Sequence, residues 1–119
     1  KYLPKNTLWC EIKEQKDFFE FNEKIDWIIT NPPWSKIRNF LVHSMKISDN
    51  IVFVITINHL WTKARMRDIK KMGFGIKEIL IFDSPKELNK SGFCVGVVYL
   101  KKNYKDNYIK FTNLNNLFI

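Results

Sequence analysis

The chain has 119 residues, the size of one small domain, and its hydrophobic content of 45% is enough to bury a core. Lys and Arg outnumber Asp and Glu by 20 to 12, and the net charge of +8 favours a polyanionic partner, although a Lys-rich surface that is merely solvated explains the surplus equally well. No apolar run approaches the roughly 20 residues of a membrane span and no signal peptide is visible, so we expect a cytoplasmic protein without a membrane partner.

The first predicted elements are two strands and a helix. Thr7 to Cys10 predicts a short strand, and a charged segment over residues 11–16 follows it. The apolar run from Ile25 to Ile29 is short enough for a buried strand. This strand should end at Thr30, because two consecutive prolines cannot continue a ladder. Ser35 to Ile47 has helical spacing, with Ser35 as the candidate N-cap.

The middle of the chain predicts a further strand and helix. Ser48 to Asn50 reads as a turn. Ile51 to Ile57 is apolar almost throughout, which is typical of a strand that is covered on both faces. A helix over about Leu60 to Met72 should follow, ended by Gly73 at the C′ position.

The last predicted elements are strands. Ile76 to Phe82 and Phe93 to Leu100 have no helix between them, so we expect an antiparallel pair. Gly96 lies inside the second of these strands and indicates a close backbone approach or a bulge. Tyr108 to Ile119 alternates polar and apolar residues, and predicts an edge strand or the start of a further domain.

No metal site is predicted. His43 lies in a helix pattern and His59 follows a strand, and neither has partners at zinc spacing. Cys10 and Cys94 have no metal or redox spacing either, so both are expected to be buried thiols.

A candidate site follows the Ile25–Ile29 strand, in the turn Asn31-Pro32-Pro33-Trp34. Ligands of parallel α/β sheets bind outside the carboxyl ends of the strands. The Asn31 amide oxygen and the Pro32 carbonyl can each accept one N–H bond of an amino group whose lone pair is conjugated into a ring. That draws the nitrogen toward tetrahedral geometry, while the prolines keep the site rigid. The Trp34 ring can stack on an extruded base. The alternative is an ordinary proline turn with a buried Trp.

This turn resembles the catalytic motif of S-adenosylmethionine-dependent methyltransferases that modify the exocyclic amino group of adenine. In that family, an acidic residue or Asn, two prolines and an aromatic residue follow a hydrophobic strand. The predicted order of elements is similar to the second half of the family's fold. The resemblance therefore implies a truncated α/β, Rossmann-like methyltransferase sheet that is mostly parallel and has a C-terminal antiparallel strand pair. It also implies a single catalytic domain, complete or partial, over residues 1–119.

The resemblance also names candidate residues for S-adenosylmethionine. Trp9-Cys10 is similar to the first strand of phage and restriction-type adenine methyltransferases, and Asp17-Phe18 to the segment that faces the adenine of the cofactor. Cys10, Asp17 and Phe18 are therefore the candidate cofactor contacts, although Asp17 is equally explained as a helix N-cap or a surface acid. Only residues 11–16 stand where a crossover of at least about 10–12 residues is needed. The rest of the part that binds the cofactor in this family is either deleted, in an unseen segment, or supplied by a second chain.

The leading hypothesis is methyl transfer to adenine in DNA, with RNA as a further substrate class. Lys36 and Arg38 just after the turn, and Lys63 and Arg65 on the basic helix, are the candidate contacts to nucleic acid. For Lys36 and Arg38, a solvated first helical turn is the slightly favoured alternative. Two other hypotheses remain open, namely methylation of a glutamine side-chain amide in a protein, and a non-catalytic remnant that binds nucleic acid or a partner.

Overall fold

The computed structural model describes residues 18–81, 95–106 and 108–113, in which strands and helices alternate as far as β3. The strands and α-helices are β1 (Ile25–Thr30), α1 (Ile37–Ile47), β2 (Ser48–Thr56), α2 (Lys63–Lys71), β3 (Phe74–Ile81), β4 (Val95–Lys102) and β5 (Lys110–Asn113). Short 3-10 turns cover Phe18–Glu20, Trp34–Lys36 and Ile57–Leu60. The predicted strand Thr7 to Cys10, residues Phe82, Phe93 and Cys94, and residues 114–119 lie outside the described residues.

The strands form one sheet in the order β1-β2-β4-β3-β5. β1 is parallel to β2, and β5 is parallel to β3. β4 lies between β2 and β3 and is antiparallel to both. Four strands therefore point in one direction and β4 in the other, so the predicted α/β class, the mostly parallel sheet and the antiparallel strand pair are confirmed.

Both helices pack on one face of this sheet. On β2 the alternate residues Ile51, Phe53 and Ile55 are buried against them, whereas Val52 and Val54 on the other face are only half-buried. The core is completed by buried residues from both helices and the central strands: Ile37, Leu41, Met45, Ile69, Ile79, Val98 and Leu100. The prediction that β2 is covered on both faces is therefore wrong, because no described helix covers the second face.

β1 is an edge strand of the described sheet, and one of its faces is open. Ile28 is 5% exposed, but its neighbours Trp27 and Ile29 are 50% and 72% exposed. The Trp27 ring packs on Tyr99 of β4, with ring centroids 5.2 Å apart. The strand itself was predicted correctly from its apolar run. Its burial was not, because an apolar run does not reveal whether anything packs against both faces.

Local signals explain most of the remaining differences. Ser48 was expected in a turn but starts β2, where its hydroxyl donates to the Asp26 carbonyl at 3.0 Å and holds the two strands together. Ser35 does not cap α1, since the chain forms a 3-10 turn there and the helix starts at Ile37 without a side-chain cap. Gly73 ends α2 with a φ of 80°, as predicted. The close approach at Gly96 is also confirmed, since a Cβ there would lie 2.8 Å from Ile57 Cδ1.

Candidate active site

The Asn31–Trp34 turn lies at the carboxyl edge of the sheet, beside the end of β2. Thr30, the last residue of β1, pairs with Phe53, and β2 continues to Thr56. Because the two strands are parallel, the turn after β1 and the 3-10 turn after β2 emerge at the same edge. This is the position at which open α/β sheets bind ligands.

The first two residues of the turn offer two hydrogen-bond acceptors. Asn31 is exposed, and within the described residues its side chain makes no hydrogen bond. Pro32 is buried, and no donor in the described ranges reaches its carbonyl. The next carbonyl, that of Pro33, accepts from the Lys36 N–H at 3.0 Å. A buried carbonyl without a donor is uncommon. The turn therefore combines an open amide oxygen with an enclosed, unpaired carbonyl.

Trp34 faces solvent and touches the neighbouring turn. Its side chain is 53% exposed, so the alternative of a buried core Trp is wrong. The indole packs against the His59 ring, with centroids 5.1 Å apart and planes at 52°. His59 belongs to the 3-10 turn after β2, so this contact joins the two turns of the carboxyl edge.

Sequence reasoning missed His59 and Trp61 as residues of this edge. Trp61 closes the 3-10 turn after β2 and is 45% exposed. The signal was present, since both residues follow a strand that is parallel to β1. Residues just beyond adjacent parallel strands lie close together at one edge of the sheet. The site thus presents two exposed indoles rather than one.

The two cations just after the turn differ in their surroundings. Lys36 is exposed and ends the 3-10 turn. Arg38 instead pairs with Asp68 of α2, with Nε 2.8 Å from Oδ2. The hydrogen bond from Arg38 to Asp68, followed by the attraction between their charges, raises the pKa of Arg38. Arg38 therefore links the two helices, and much of its charge is already neutralised by Asp68.

The two predicted cations of α2 lie at its start. Thr62 caps the helix by accepting from the Arg65 N–H at 3.3 Å, and Arg65 Nη1 also donates to the Thr62 hydroxyl. Lys63 is exposed, whereas Arg65 is half-buried. Five of the nine residues of α2 are Lys or Arg and one is Asp. This helix is therefore a strongly basic element next to the carboxyl edge.

Of the predicted cofactor contacts, only Phe18 can be located. Its ring stacks on Phe40 of α1, with centroids 4.9 Å apart and planes at 7°, and meets the His43 ring edge-on. Cys10 and Asp17 lie outside the described residues. Phe18 is thus held in an aromatic cluster on α1. Because two of the three predicted contacts lie outside the described residues, these residues can supply only part of a site for S-adenosylmethionine.

The described ranges contain neither a metal site nor a membrane-spanning helix. No group of three or more His, Cys, Asp or Glu side chains there is placed to hold a metal ion. No helix in these ranges is long and apolar enough to cross a membrane.

Comparison with known proteins finds similarity at the level of structure. No protein-family model matches the chain, and no curated protein sequence matches it. PH1948 from Pyrococcus horikoshii, a protein provisionally assigned as an RNA methyltransferase, is 25% identical with a TM-score of 0.52, over 73% of this chain and 48% of PH1948. M1.HpyAVI in its complex with SAM is 17% identical with a TM-score of 0.47, over 87% of this chain and 64% of that protein. A second structure of M1.HpyAVI gives 17% identity and a TM-score of 0.48, over 87% and 62% of the two chains.

The likeness to PH1948 covers most of this chain but only about half of that protein. The described part of this chain is an open, mostly parallel sheet with the inserted antiparallel strand β4. The chain therefore has a Rossmann-like α/β fold similar to that of a protein assigned to RNA methylation, as its sequence predicts.

Proposed function

We propose that this chain forms the target-binding side of an S-adenosylmethionine-dependent methyltransferase that modifies the exocyclic amino group of adenine in nucleic acid. The observation that carries the proposal is the pair of unused acceptors on the Asn31–Trp34 turn. Asn31 is exposed without a partner, and the Pro32 carbonyl is buried without a donor among the described residues. An amino group has two N–H bonds, and these two acceptors match them.

Each residue of the turn has a distinct role in this proposal. The Asn31 oxygen and the Pro32 carbonyl accept the two N–H bonds of the target and turn its lone pair outward. The two prolines restrict the backbone, so the acceptors are in place before the target binds. Because Pro32 is buried, the target must displace covering atoms to reach its carbonyl. S-adenosylmethionine, when bound, supplies the methyl group.

Adenine in nucleic acid fits the aromatic and charged surroundings of the turn. Trp34 is 53% exposed and held from one side by His59, so its ring can stack on an extruded base. Lys36 and Lys63 are exposed on the elements that follow the two turns, and cations in such places neutralise phosphates. We assign Lys36 and Lys63 to the backbone of the nucleic acid. Arg38 and Arg65 contribute less, since Asp68 and Thr62 already engage them.

Further polypeptide is needed to complete the cofactor site in this proposal. β1 has β2 as its one neighbour in the described sheet, so one row of its backbone N–H and C=O groups is unpaired. Trp27 and Ile29 expose apolar surface on the same strand. We infer that additional polypeptide, in the same chain or a partner, covers this edge and supplies the contacts that Phe18 and Asn31 do not. Cys10 and Asp17 stay candidate contacts to the cofactor.

Titration calorimetry with S-adenosylmethionine tests this part of the proposal. The 119-residue chain supplies only one side of the pocket, so we expect a dissociation constant at or above about 1 mM, equivalent to about 4 kcal/mol. A longer chain, or a partner that covers β1, should bind at least tenfold more tightly. Micromolar binding by the 119-residue chain would show that its own residues complete the pocket.

Binding of adenine-containing nucleic acid tests the assignment of the turn. A fluorescent single-stranded oligonucleotide that contains adenine should bind the chain, and Trp34→Ala should weaken binding by about 1–3 kcal/mol through lost stacking. Trp34→Phe is the matched control and should retain most of the affinity. Equal binding by the wild-type chain and Trp34→Ala would remove the stacking role.

A second candidate function is a non-catalytic relative that binds nucleic acid or a partner. The open edge and apolar face of β1 favour it, because they leave the cofactor side of the described sheet uncovered. Absence of methyl transfer at saturating S-adenosylmethionine, together with retained binding of nucleic acid, would establish this function instead.

A further inference from the structure

A cavity of about 470 Å³ lies at the opposite end of α2 from the Asn31–Trp34 turn. Its floor consists of Ile69 from α2 and of Phe74 and Ile76 from the start of β3, all of which are buried. Because β3 starts at the amino edge of the sheet, the cavity is separate from the candidate active site. Its volume is within the roughly 300–1,000 Å³ of small-molecule sites.

The outer wall of the cavity consists of Tyr104, Asp106, Tyr108 and Ile109, which lie between β4 and β5, and hydrogen bonds hold it in place. The Asn103 N–H donates to the Gly73 carbonyl at 2.8 Å. Gly75 allows the Tyr104 carbonyl to approach β3, since a Cβ at Gly75 would collide with that oxygen. The Tyr104 hydroxyl donates to the Tyr108 carbonyl at 3.1 Å. The wall is therefore preformed rather than assembled by a ligand.

The state of the Tyr104 hydroxyl supports this fixed wall. Desolvation, followed by the nearby Asp106 carboxylate, raises the pKa of Tyr104 above its ordinary value. The shift extends to higher pH the range over which the hydroxyl is protonated and donates to the Tyr108 carbonyl.

The rim of the cavity combines cations with an exposed aromatic ring. Arg67 and Lys70 line it from α2, three residues apart and therefore on one face of the helix, and both are exposed. Tyr108 lines the opposite side and is 71% exposed. Among the described residues of the lining, Asp106 is the one that is acidic. Cations beside an aromatic platform are the combination that binds single-stranded nucleic acid, with phosphates on the cations and bases on the ring.

The cations of α2 continue from this rim toward the active site. Lys63, Arg67 and Lys71 are each four residues apart, so they follow one face of the helix at intervals of about 6 Å. All three are exposed. The only acidic residue of α2, Asp68, is engaged by Arg38. The outer face of α2 therefore has a continuous positive stripe, complementary in charge to a polyanionic strand.

We propose that this cavity binds one nucleotide of a single-stranded nucleic acid, with its base on Tyr108 and its phosphate on Arg67 and Lys70. The neighbouring phosphates follow the α2 stripe toward Lys63. This site is independent of methyl transfer, because it uses no residue of the Asn31–Trp34 turn.

The test is a fluorescence-anisotropy titration of the 119-residue chain with labelled oligothymidine of about 12 nucleotides, a length within the roughly 4–16 nucleotides of such sites. Thymine has no exocyclic amino group, so failure of the Asn31 proposal does not affect the result. Tyr108→Ala should weaken binding about 5- to 150-fold, whereas Tyr108→Phe should bind like the wild type. Both substitutions are at an exposed side chain, and circular dichroism should confirm that each variant folds.

The charge requirement is tested with a matched pair of lysines. Lys70→Gln should lower the affinity and reduce the slope of log affinity against log salt by about 0.7, the loss of one phosphate contact on a single strand. Lys46→Gln removes an exposed lysine from α1, outside the cavity. It should change neither the affinity nor the salt slope. Equal losses in both lysine variants would show diffuse attraction and overturn the site. Unchanged binding by Tyr108→Ala would also overturn it.

Discussion

Replacing two adjacent residues of β1 by Ala measures how much of this strand is covered. Ile28 is 5% exposed and Ile29 is 72% exposed, although they are the same residue type on one strand. Ile28→Ala leaves a cavity in the core and should lower the free energy of unfolding by about 2–5 kcal/mol. Ile29 buries about a quarter of its side chain. Since complete burial of such a side chain contributes roughly 1.5–3 kcal/mol, Ile29→Ala should lower the free energy of unfolding by about 0.4–0.8 kcal/mol.

Urea unfolding of the two variants, followed by circular dichroism, provides the comparison. Both substitutions lose the same strand propensity, so the difference between them reflects burial. The urea concentrations at the unfolding midpoints should differ, while the slope of the free energy of unfolding against urea concentration stays the same. If Ile29→Ala loses as much stability as Ile28→Ala, the open face of β1 is covered and the reasoning is refuted. Addition of polypeptide that completes the sheet should increase the effect of Ile29→Ala and leave that of Ile28→Ala unchanged.

Three further predictions concern the site and its support. Asn31→Ala should slow methyl transfer by about 2–4 kcal/mol in single-turnover measurements without changing the urea midpoint, and an unfolded variant would instead indicate a structural role. Gly96→Ala should lower the free energy of unfolding by about 1–3 kcal/mol, because the new Cβ would lie 2.8 Å from Ile57 Cδ1 and 2.9 Å from the Leu80 carbonyl oxygen. Unchanged stability in urea would contradict this close packing. His59→Ala should free the Trp34 indole and change its fluorescence, whereas His59→Phe should keep the ring contact; an unchanged spectrum for His59→Ala would argue against the contact.

The sequence was sufficient to predict the elements that local chemistry determines. The prolines after Thr30 end β1, Gly73 ends α2, and the apolar run through Ile55 forms a strand. The antiparallel relation of β3 and β4 was predicted because the sequence between them has no helical pattern. Each of these features depends on residues that are close together in the chain.

Features that depend on distant residues were not predictable in the same way. The exposure of Ile29 depends on what packs against β1, and the pairing of Arg38 with Asp68 depends on how two helices meet. Ser48 shows the same limit, because a residue typical of turns instead donates to a carbonyl of the neighbouring strand. In the candidate site, the residue types of the Asn31–Trp34 turn were visible in the sequence. The contact of Trp34 with His59 required the register of two parallel strands.

The central claim is that the Asn31–Trp34 turn places an adenine amino group for methyl transfer. It is tested most directly by labelled S-adenosylmethionine, at a concentration several-fold above the dissociation constant that calorimetry measures, incubated with the chain and separately with DNA, RNA and a glutamine-containing protein acceptor. The account predicts label on the adenine amino group of nucleic acid, and loss of that label in Asn31→Ala. Label on the protein acceptor alone, no label on any acceptor, or equal label with Asn31→Ala would contradict it.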